Sequence, residues 1–523
     1  MFNRVGLITR TSIFVLLALL LTPALVFQPA VNVAQAQPSA SDKNDPNAPL
    51  PASNGGLTTS GAPEAGSKNA TSQPASDPQG VTRSGPAAPG DKNYEPTVSA
   101  AAAEPDGSAM ATTRGVGWLF QACGSIQDGG FTTTSATFEV VRSCTLTLPE
   151  NGFVYLNAST SLGIKDANYE ARFNLNIDST SGNTNTDRWI NAYTDATDGT
   201  DKNLQHSWIA PVSAGQHTFY FLAARYIGSG TVQLYDPAFS VLYFPSSSAD
   251  ILACGSSGQL VWNTTETSFQ EIRSCALNVP QSGFVYINGT SSAGVASGGQ
   301  PYEARYRLGV DAVTGTASTD RWVNVTTDSG DGTDEAVATS LLTSVAAGPH
   351  TFYFSATRYN GTGPLQFYDP ALSVLYFPAP NVTAKVCGAG GSDTWTNSTT
   401  SYSIIRSCTL NVPRNGFAFI DATASAGLND TAAGNDWEGQ FRVGVDNDTG
   451  TSLSDRWVNL YTDSGDGTDR PVADSLLLNI SQGVHTFYFV GRRYAGNGTL
   501  RLYSPSLTVI VPGDTAFIPF APK

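Results

Sequence analysis

A segment that recurs three times constrains the fold of this chain more than any other feature of its sequence. Each copy reads Asp-Arg-Trp-x-Asn, begins at Asp187, Asp320 or Asp455, and leads within a few residues into an acidic, glycine-containing turn. A fixed register of this kind indicates one folding unit repeated in tandem, and each unit, at about 130 residues, is long enough for its own core. We therefore expect three similar domains, which are residues 114–246, 247–379 and 380–523, the last with a C-terminal tail.

Short apolar runs within each unit alternate with polar residues and are interrupted by Gly, Asp and Pro. In the second unit, the turn Gln281–Gly283 leads into the run Phe284–Ile287, and Tyr306, Leu308 and Val310 alternate with polar neighbours. A period of two indicates strands rather than helices. Charged residues make up 14% of the chain and 51 residues are Gly, which also disfavours long surface helices. The sequence predicts an all-β protein of three tandem antiparallel β-sandwich domains.

Three stretches of the second unit carry a resemblance to a known family. A small-residue turn runs into Gly-Phe-Val-Tyr at 283–286, Gly-Pro-His-Thr-Phe-Tyr-Phe follows at 348–354, and Leu-Ser-Val-Leu-Tyr-Phe-Pro closes the unit at 372–378. This order resembles the complement-globular-head and tumour-necrosis-factor-like jelly rolls. The resemblance implies a ten-strand jelly roll and a tendency to threefold packing. The paired cysteines and the acidic turn depart from that family's pattern.

Two predicted strands of the second unit are apolar on both faces. Thr351–Phe354 and Val374–Phe377 carry aromatic or aliphatic side chains at successive positions, which a sheet with one wet face does not require. A neighbouring repeat is the simplest cover for the second face. The ten steps from Phe377 to Cys387 span at most ~33 Å. That reach permits the repeats to pack on one another as a pseudo-trimer, and it permits a row of separate domains equally well.

The N-terminal part of the chain has the composition of an export signal followed by a spacer. Residues 1–36 contain two leading arginines, the apolar run Ile13–Phe27 and a small-residue cleavage site. The alternative is an uncut membrane anchor, but the run is shorter than the ~20 residues of a spanning helix and Pro23 interrupts it. Residues 37–113, rich in Pro, Ala, Gly and Ser, predict a disordered linker. We expect a secreted or outer-surface protein with no membrane span after signal cleavage.

The cysteines form three pairs with one repeated spacing of 21 positions. An exported chain with an even cysteine count at a repeated spacing predicts one disulfide per unit. Metal-binding thiolates are the alternative, and the sequence offers no Cys-x-x-Cys or Cys-His cluster for them. The expected pairs are Cys123 with Cys144, Cys254 with Cys275, and Cys387 with Cys408.

The charge of the chain bears on its partners. The formal net charge is −15, from 28 basic and 43 acidic residues. A field of that sign repels phosphate backbones and anionic lipid surfaces. We therefore expect no nucleic-acid partner.

The acidic turns are the candidate metal sites. Each turn carries aspartates at a spacing of three, and loops rich in carboxylate oxygen suit calcium, although the register differs from that of an EF-hand. The alternative is an ordinary surface turn whose aspartates bond local amides. The calcium candidates are Asp195, Asp198, Asp201, Asp328, Asp331, Asp334, Asp463, Asp466 and Asp469.

The tryptophan strand that precedes each turn supplies the candidate ligand-binding residues. If its valines face the core, the alternation of a strand turns the tryptophan and asparagine to the other face. An aromatic ring beside amide groups is typical of carbohydrate sites, and burial of the tryptophan between sheets or repeats is the alternative. The candidates are Trp189, Asn191, Tyr193, Trp322, Asn324, Trp457, Asn459 and Tyr461.

The sequence indicates binding rather than catalysis. His217, His350 and His485 recur at matching places, but no nucleophile motif accompanies them, and a structural histidine at a strand start is the simpler interpretation. We therefore predict a non-enzymatic adhesion or recognition protein that uses three similar modules multivalently on a carbohydrate or cell-surface ligand. The alternatives are a self-assembling component of a sheath, fibre or surface layer, and a secreted hydrolase of unfamiliar type.

Overall fold

A computed structural model describes the three repeats and leaves several short connections aside. The described residues are 121–126, 130–164, 166–192, 201–246, 251–295, 300–325, 334–379, 384–427, 437–460 and 469–512. The predicted signal peptide (1–36) and linker (37–113) lie outside them. Strands and three single-turn 3-10 helices make up the regular structure of the described part. No helix in those residues has the length and apolar character needed to cross a membrane.

The described residues of each repeat form nine strands. The elements of repeat 1 are β1 (Gln121–Ile126), β2 (Gly130–Thr133), β3 (Glu139–Leu148), β4 (Gly152–Ile164), β5 (Tyr169–Ile177), the 3-10 helix η1 (Thr184–Thr186), β6 (Arg188–Ala192), β7 (Lys202–Val212), β8 (Gly215–Gly228) and β9 (Val232–Pro245).

Repeats 2 and 3 contain the same elements in the same order. Repeat 2 has β10 (Leu252–Ser256), β11 (Val261–Thr264), β12 (Gln270–Val279), β13 (Gly283–Ala293), β14 (Tyr302–Val310), η2 (Ala317–Thr319), β15 (Arg321–Val325), β16 (Glu335–Val345), β17 (Gly348–Gly361) and β18 (Leu365–Pro378). Repeat 3 has β19 (Ala384–Gly390), β20 (Thr394–Asn397), β21 (Ser403–Val412), β22 (Gly416–Gly427), β23 (Trp437–Val445), η3 (Ser452–Ser454), β24 (Arg456–Leu460), β25 (Arg470–Ile480), β26 (Gly483–Gly496) and β27 (Leu500–Pro512).

Two antiparallel sheets face each other in every repeat. In repeat 1, one sheet has the order β1-β9-β4-β7, and β2 also pairs with β9; the other has the order β3-β8-β5-β6. Repeats 2 and 3 have the same two orders. Because β1 and β2 pair with successive stretches of β9, nine strands fill the eight positions of a jelly roll. The predicted antiparallel sandwich is confirmed, whereas the ten strands that the family resemblance implied are not found among the described residues.

Each sandwich has its own core, and the alternation of β4 shows how that core relates to the rest of the molecule. Val154 and Leu156 point into the core of repeat 1. Phe153 and Tyr155, on the opposite face of the same strand, belong to a second cluster. The sheet that contains β4 therefore buries both faces, as do its counterparts in the other two repeats, and we call these three sheets the axial sheets. The sheets that contain β3, β12 and β21 are called the outer sheets.

The axial sheets of all three repeats meet in one central cluster of apolar side chains, which lies between the repeats. Tyr155, Tyr286 and Phe419 occupy equivalent positions there, one from each repeat, and their rings meet edge to face at centroid distances of 5.9, 5.8 and 6.1 Å. Edge-to-face contacts at such distances are favourable for aromatic rings. Of the two arrangements that the connectors permit, the described contacts form the closed one, in which each repeat touches the other two.

The three predicted disulfides each join the axial sheet of a repeat to its outer sheet. Cys123 in β1 is bonded to Cys144 in β3, with the Cα atoms 5.9 Å apart. The corresponding distances are 6.0 Å in repeat 2 and 6.1 Å in repeat 3. The described residues include no free cysteine. Each bridge closes the first edge of its sandwich, so it opposes separation of the two sheets at that edge.

Candidate functional site

The Asp-Arg-Trp segment lies where one repeat contacts the next. The backbone N–H of Trp189 donates to Ser292 Oγ of repeat 2 at 2.8 Å. In the same way Trp322 donates to Ser425 of repeat 3 at 2.8 Å, and Trp457 donates to Ser161 of repeat 1 at 2.8 Å. The three contacts run in one direction around the molecule and close a cycle.

The indole rings follow the same cycle. Trp322 meets Tyr503 of repeat 3 edge to face at 5.9 Å, and Trp457 meets Tyr235 of repeat 1 at 5.8 Å. Trp322 and Trp457 are 5% and 1% exposed, whereas Trp189, 6.3 Å from Tyr368, is half-buried. This placement matches the alternative of burial between repeats. Carbohydrate binding by these tryptophans stays a prediction, and the candidates Tyr193 and Tyr461 lie outside the described residues.

The arginines of the segment are buried hydrogen-bond donors. Arg188, Arg321 and Arg456 are fully buried. Nη2 of Arg321 donates to the carbonyl and hydroxyl oxygens of Thr423 in repeat 3, at 3.0 and 2.8 Å. Arg456 donates to Ser159 of repeat 1 through its carbonyl and hydroxyl at 3.2 and 2.8 Å. Because hydrogen bonds lower the cost of burying a guanidinium, each repeat uses its neighbour's backbone to stabilise its own buried arginine.

The aspartates of the segment pair within their own repeat. Asp320 binds Arg305 through two hydrogen bonds of 3.1 and 2.7 Å, and it also binds Arg307. Arg358, by contrast, donates to the carbonyls of Thr362 and Gly363 at 3.3 and 3.4 Å. The Asp-Arg pairs therefore tie strands of the outer sheet together and leave the backbone of the segment facing the next repeat.

The asparagines and the last aspartate of each acidic turn complete the contact. The backbone N–H groups of Asn191, Asn324 and Asn459 donate to carbonyl oxygens of the next repeat at 3.1 Å each. The three acceptors, in the same order, are Asp334, Asp469 and Asp201. The tryptophan strand of one repeat therefore meets the last aspartate of the turn that belongs to the following repeat.

The calcium candidates divide between described and undescribed residues. Asp201, Asp334 and Asp469 make the backbone contacts above. The others lie outside the described residues, and they are Asp195, Asp198, Asp328, Asp331, Asp463 and Asp466. Within the described ranges no three His, Cys, Asp or Glu side chains converge as a metal site would require. Calcium binding by the turns therefore stays a prediction.

A polar layer crosses the centre of the molecule beside the central cluster. Ser207 of repeat 1 donates to Asn288 of repeat 2 at 2.6 Å, and Ser475 of repeat 3 donates to Asn157 of repeat 1 at 2.6 Å. Asp421 takes the equivalent position in repeat 3, where the Gln205 amide donates to it. Burial raises the pKa of Asp421 to about 6, although hydrogen bonds from neighbouring side chains oppose the shift.

The histidines fix a hairpin rather than a reacting group. Nδ1 of His350 is 2.6 Å from Asp311, and Nε2 is 3.0 Å from the carbonyl oxygen of Ala346. The hydrogen bond to the Asp311 carboxylate raises the pKa of His350. His217 and His485 make the same two contacts in their own repeats. This geometry satisfies both ring nitrogens at the start of a strand.

The outer sheets carry a second feature that all three repeats share. An aromatic ring at one position, occupied by Phe138, Phe269 or Tyr402, lies under an arginine guanidinium. The distances from guanidinium carbon to ring centroid are 5.0 Å for Arg172, 4.5 Å for Arg307 and 4.7 Å for Arg442. Contacts of this kind are favourable cation–π interactions. We call each of these pairs an arginine–aromatic cluster.

A groove of about 400 Å³ opens beside the cluster of repeat 1. Phe138, Arg172, Ala224, Arg225 and Tyr226 line it, together with three hydroxyl-bearing residues. The side chain of Tyr226 is 55% exposed. We call this feature the outer groove. Ala224, Arg225 and Tyr226 are consecutive on β8, whereas Phe138, Arg172 and the hydroxyl-bearing residues come from distant parts of repeat 1, so no local sequence pattern indicates the groove.

Comparisons with known proteins give a likeness of fold. No protein-family model matches the chain, and no curated protein matches it. Among solved structures it is similar to the N-terminal tandem CBM22 domain from Paenibacillus barcinonensis Xyn10C, at 13% identity and a TM-score of 0.15, over 49% of this chain and 92% of that one. It is also similar to a chain described as the triple jelly roll fold of an archaeal virus, at 9% identity and a TM-score of 0.17, over 76% and 92% of the two chains.

A third similar chain comes from the lipid-containing bacteriophage PM2, at 10% identity and a TM-score of 0.15, over 73% of this chain and 99% of that one. Likenesses this weak carry no argument about ligand or partner. The jelly-roll class rests on the strand order. The complement-globular-head family is not shown.

Proposed function

We propose that this chain is an exported, non-enzymatic adhesion or recognition protein whose three repeats form one rigid binding head. The observation that carries the proposal is the cyclic packing of the repeats. The axial sheets are buried against one another, so the outer sheets remain as the large faces available to a ligand, and each presents an arginine–aromatic cluster whose ring occupies the same position. The three disulfides support an oxidising, extracellular setting.

Fixed spacing of related faces gives the proposed mechanism, which is multivalency. Once one face has bound a ligand that repeats on a surface, the others meet further copies at a raised effective concentration, and avidity exceeds the affinity of one face. A rigid head loses less conformational freedom on such binding than three domains on flexible connectors would. A polysaccharide or glycan-coated cell surface has the repeating character that this mechanism requires.

The test is a glycan and cell-surface binding array with the mature chain, labelled at its N-terminal amine and applied with and without calcium. We expect selective binding that weakens strongly when soluble monovalent glycan competes with the arrayed, multivalent form. Binding to no glycan or cell surface would contradict the proposal. Concentration-dependent growth of particles in light scattering, without array binding, would instead support the alternative of a self-assembling sheath, fibre or surface-layer component.

A further inference from the structure

We propose that the outer groove of repeat 1 is a binding site for an acidic saccharide, one that carries carboxylate or sulfate groups. The proposal rests on the recognition function above and names the ligand class of one face. It assigns the anionic group to Arg172 and Arg225, and the flat apolar face of the sugar ring to Phe138 and Tyr226.

The charge of the lining favours an anion. Arg172 and Arg225 line the groove, and no Asp or Glu does. Arg172 is paired with Asp187 at 2.5 Å, but that carboxylate is 4% exposed and lies outside the lining. Arg225 donates to backbone carbonyls, those of Ser229 and Gly230 at 3.1 and 3.3 Å, and pairs with no carboxylate in the described part of the chain. On a chain of net charge −15, this is a local positive site.

The exposed part of Arg172 supports the same conclusion. Its side chain is 30% exposed, and Nη2 is the atom that binds Asp187. A planar guanidinium has donors placed to bind a carboxylate or sulfate group through two atoms at once. An anion that enters from the groove side would therefore meet the exposed part of this guanidinium.

Repeat 3 shows what fills the equivalent space there. Arg492 takes the position of Ala224, and its guanidinium lies 4.7 Å from the ring of Tyr402 and 5.6 Å from that of Tyr494. Its Nε donates to the neutral amide oxygen of Gln440 at 2.7 Å. Repeat 3 thus places a cation between two aromatic rings and beside an uncharged wall.

Repeat 1 has the converse arrangement. The wall residue is Arg172 instead of glutamine, and the short side chain of Ala224 leaves the space between Phe138 and Tyr226 open. A cation such as the one in repeat 3 would be repelled by Arg172, whereas a neutral or anionic group would not. The differences between the two repeats therefore determine the sign of the charge that the ligand carries, as well as the place where it binds.

The remaining lining suits a sugar. Phe138 and Tyr226 offer ring surface for the C–H face of a pyranose, and the hydroxyls of Thr137, Thr180 and Ser181 can exchange hydrogen bonds with sugar hydroxyls. A volume of about 400 Å³ lies within the range of small-molecule sites and accommodates one or two sugar units. The combination of flat rings, hydroxyls and guanidinium groups matches an acidic saccharide better than an isolated inorganic anion.

The experiment is a calorimetric titration of the mature chain with three probes, which are a galacturonic acid tetramer, a sulfated galactose tetramer and the neutral galactose tetramer. We expect at least one acidic probe to bind ten times more tightly than the neutral one, with an affinity that falls as salt is raised. The two acidic probes distinguish carboxylate from sulfate as the recognised group. Equal affinity for acidic and neutral probes would overturn the acidic specificity while leaving glycan recognition intact.

Two variants locate the site. Ala224→Leu should abolish acidic binding, because a larger uncharged side chain would occupy the space that Arg492 fills in repeat 3. Tyr226→Ala should weaken binding at least fivefold, and Tyr359→Ala, the matched change in repeat 2, should not. Unchanged binding in both repeat 1 variants would overturn the proposal, as would failure of both acidic probes. If the chain still binds the arrayed surfaces in either case, the proposed function survives without this site.

Discussion

At the residue scale, the three repeats differ at one position of the polar layer at the centre of the molecule. Asn157 and Asn288 occupy equivalent positions in repeats 1 and 2, and each accepts a hydrogen bond from a serine of a neighbouring repeat. Repeat 3 has Asp421 at this position, fully buried. A buried carboxylate carries a desolvation cost that the two amides do not. Because the carboxyl group of Asp421 titrates and the two amides do not, the stability that this position contributes depends on pH.

Replacing Asp421 with Asn should therefore stabilise the head at neutral and alkaline pH. The folded-state pKa of about 6 lies above the unfolded value of about 3.9, so the folded protein binds the proton more readily. The contribution of Asp421 to stability is then greatest below about pH 4 and is lost as pH rises through 6. We expect Asp421→Asn to raise the free energy of unfolding by on the order of 2 kcal/mol at pH 8, and by less at pH 4.5.

Urea unfolding at the two pH values measures this difference. Asp448→Asn is the matched control, since it makes the same chemical change at an exposed position of the same repeat. Equal effects of Asp421→Asn at pH 4.5 and pH 8 would show that burial does not perturb this carboxyl group.

At the element scale, the strands that carry the Asp-Arg-Trp segment show how far sequence could go. The alternation of the chain predicted a strand at Trp322, which is part of β15, and the repeated cysteine spacing predicted the three disulfides. Sequence could not identify what the strand contacts. The partner of the Trp322 amide is Ser425, 103 positions away, and such a serine has no local signature. The outer groove was equally invisible, because it depends on Ala224 being short where the third repeat has Arg492.

The edge strands β6, β15 and β24 should differ in how strongly their tryptophans hold the ring together. Trp457 is 1% exposed and packs on Tyr235, whereas Trp189 is half-buried. Removal of a fully buried large aromatic side chain typically costs about 3–5 kcal/mol, and less where water already reaches the ring. We expect Trp457→Ala to lower the unfolding free energy by about 3 kcal/mol or more, and Trp189→Ala to lower it by clearly less. Thermal and urea unfolding of the two variants, measured in parallel, gives the two losses of unfolding free energy. A larger loss for Trp189→Ala than for Trp457→Ala would contradict the described packing.

At the scale of the whole molecule, the ring is a head-to-tail assembly of similar units within one chain. Each repeat offers its Asp-Arg-Trp segment to the next repeat and accepts a segment from the previous one. The three equivalent contacts therefore close a cycle. The units are not interchangeable, however. Lys202, Glu335 and Arg470 occupy one equivalent position, and Lys202 forms a buried ion pair with Glu335 at 2.6 Å. Burial lowers the pKa of Lys202 and the nearby Arg470 adds to this shift, against the attraction of Glu335.

This difference predicts the behaviour of repeat 2 produced alone, as residues 247–379. Because the three repeats are equivalent, the surface that repeat 2 offers to repeat 3 should also fit the surface that repeat 2 offers to repeat 1. Three copies of repeat 2 therefore have the contacts needed to form the same ring. Three copies would also place three Glu335 carboxylates where the native ring has lysine, glutamate and arginine. Like charges at a buried position repel strongly, so we expect repeat 2 to remain monomeric, or partly unfolded, at pH 8.

Substitution of Glu335 by Gln should remove that repulsion while keeping the size and shape of the side chain. Sedimentation velocity at several concentrations should then show a trimer for Glu335→Gln that is absent, or at least tenfold weaker, in the unmodified repeat. Glu271→Gln, which makes the same chemical change at an exposed position of the outer sheet, serves as the control and should not promote association. If the unmodified repeat trimerised as readily as Glu335→Gln, the mixed charges at the centre would have no role in setting which repeats can neighbour one another. A trimer that appears only in the Glu335→Gln variant would show that the charges at this position, as well as the matching surfaces, determine which repeats can be neighbours in the ring.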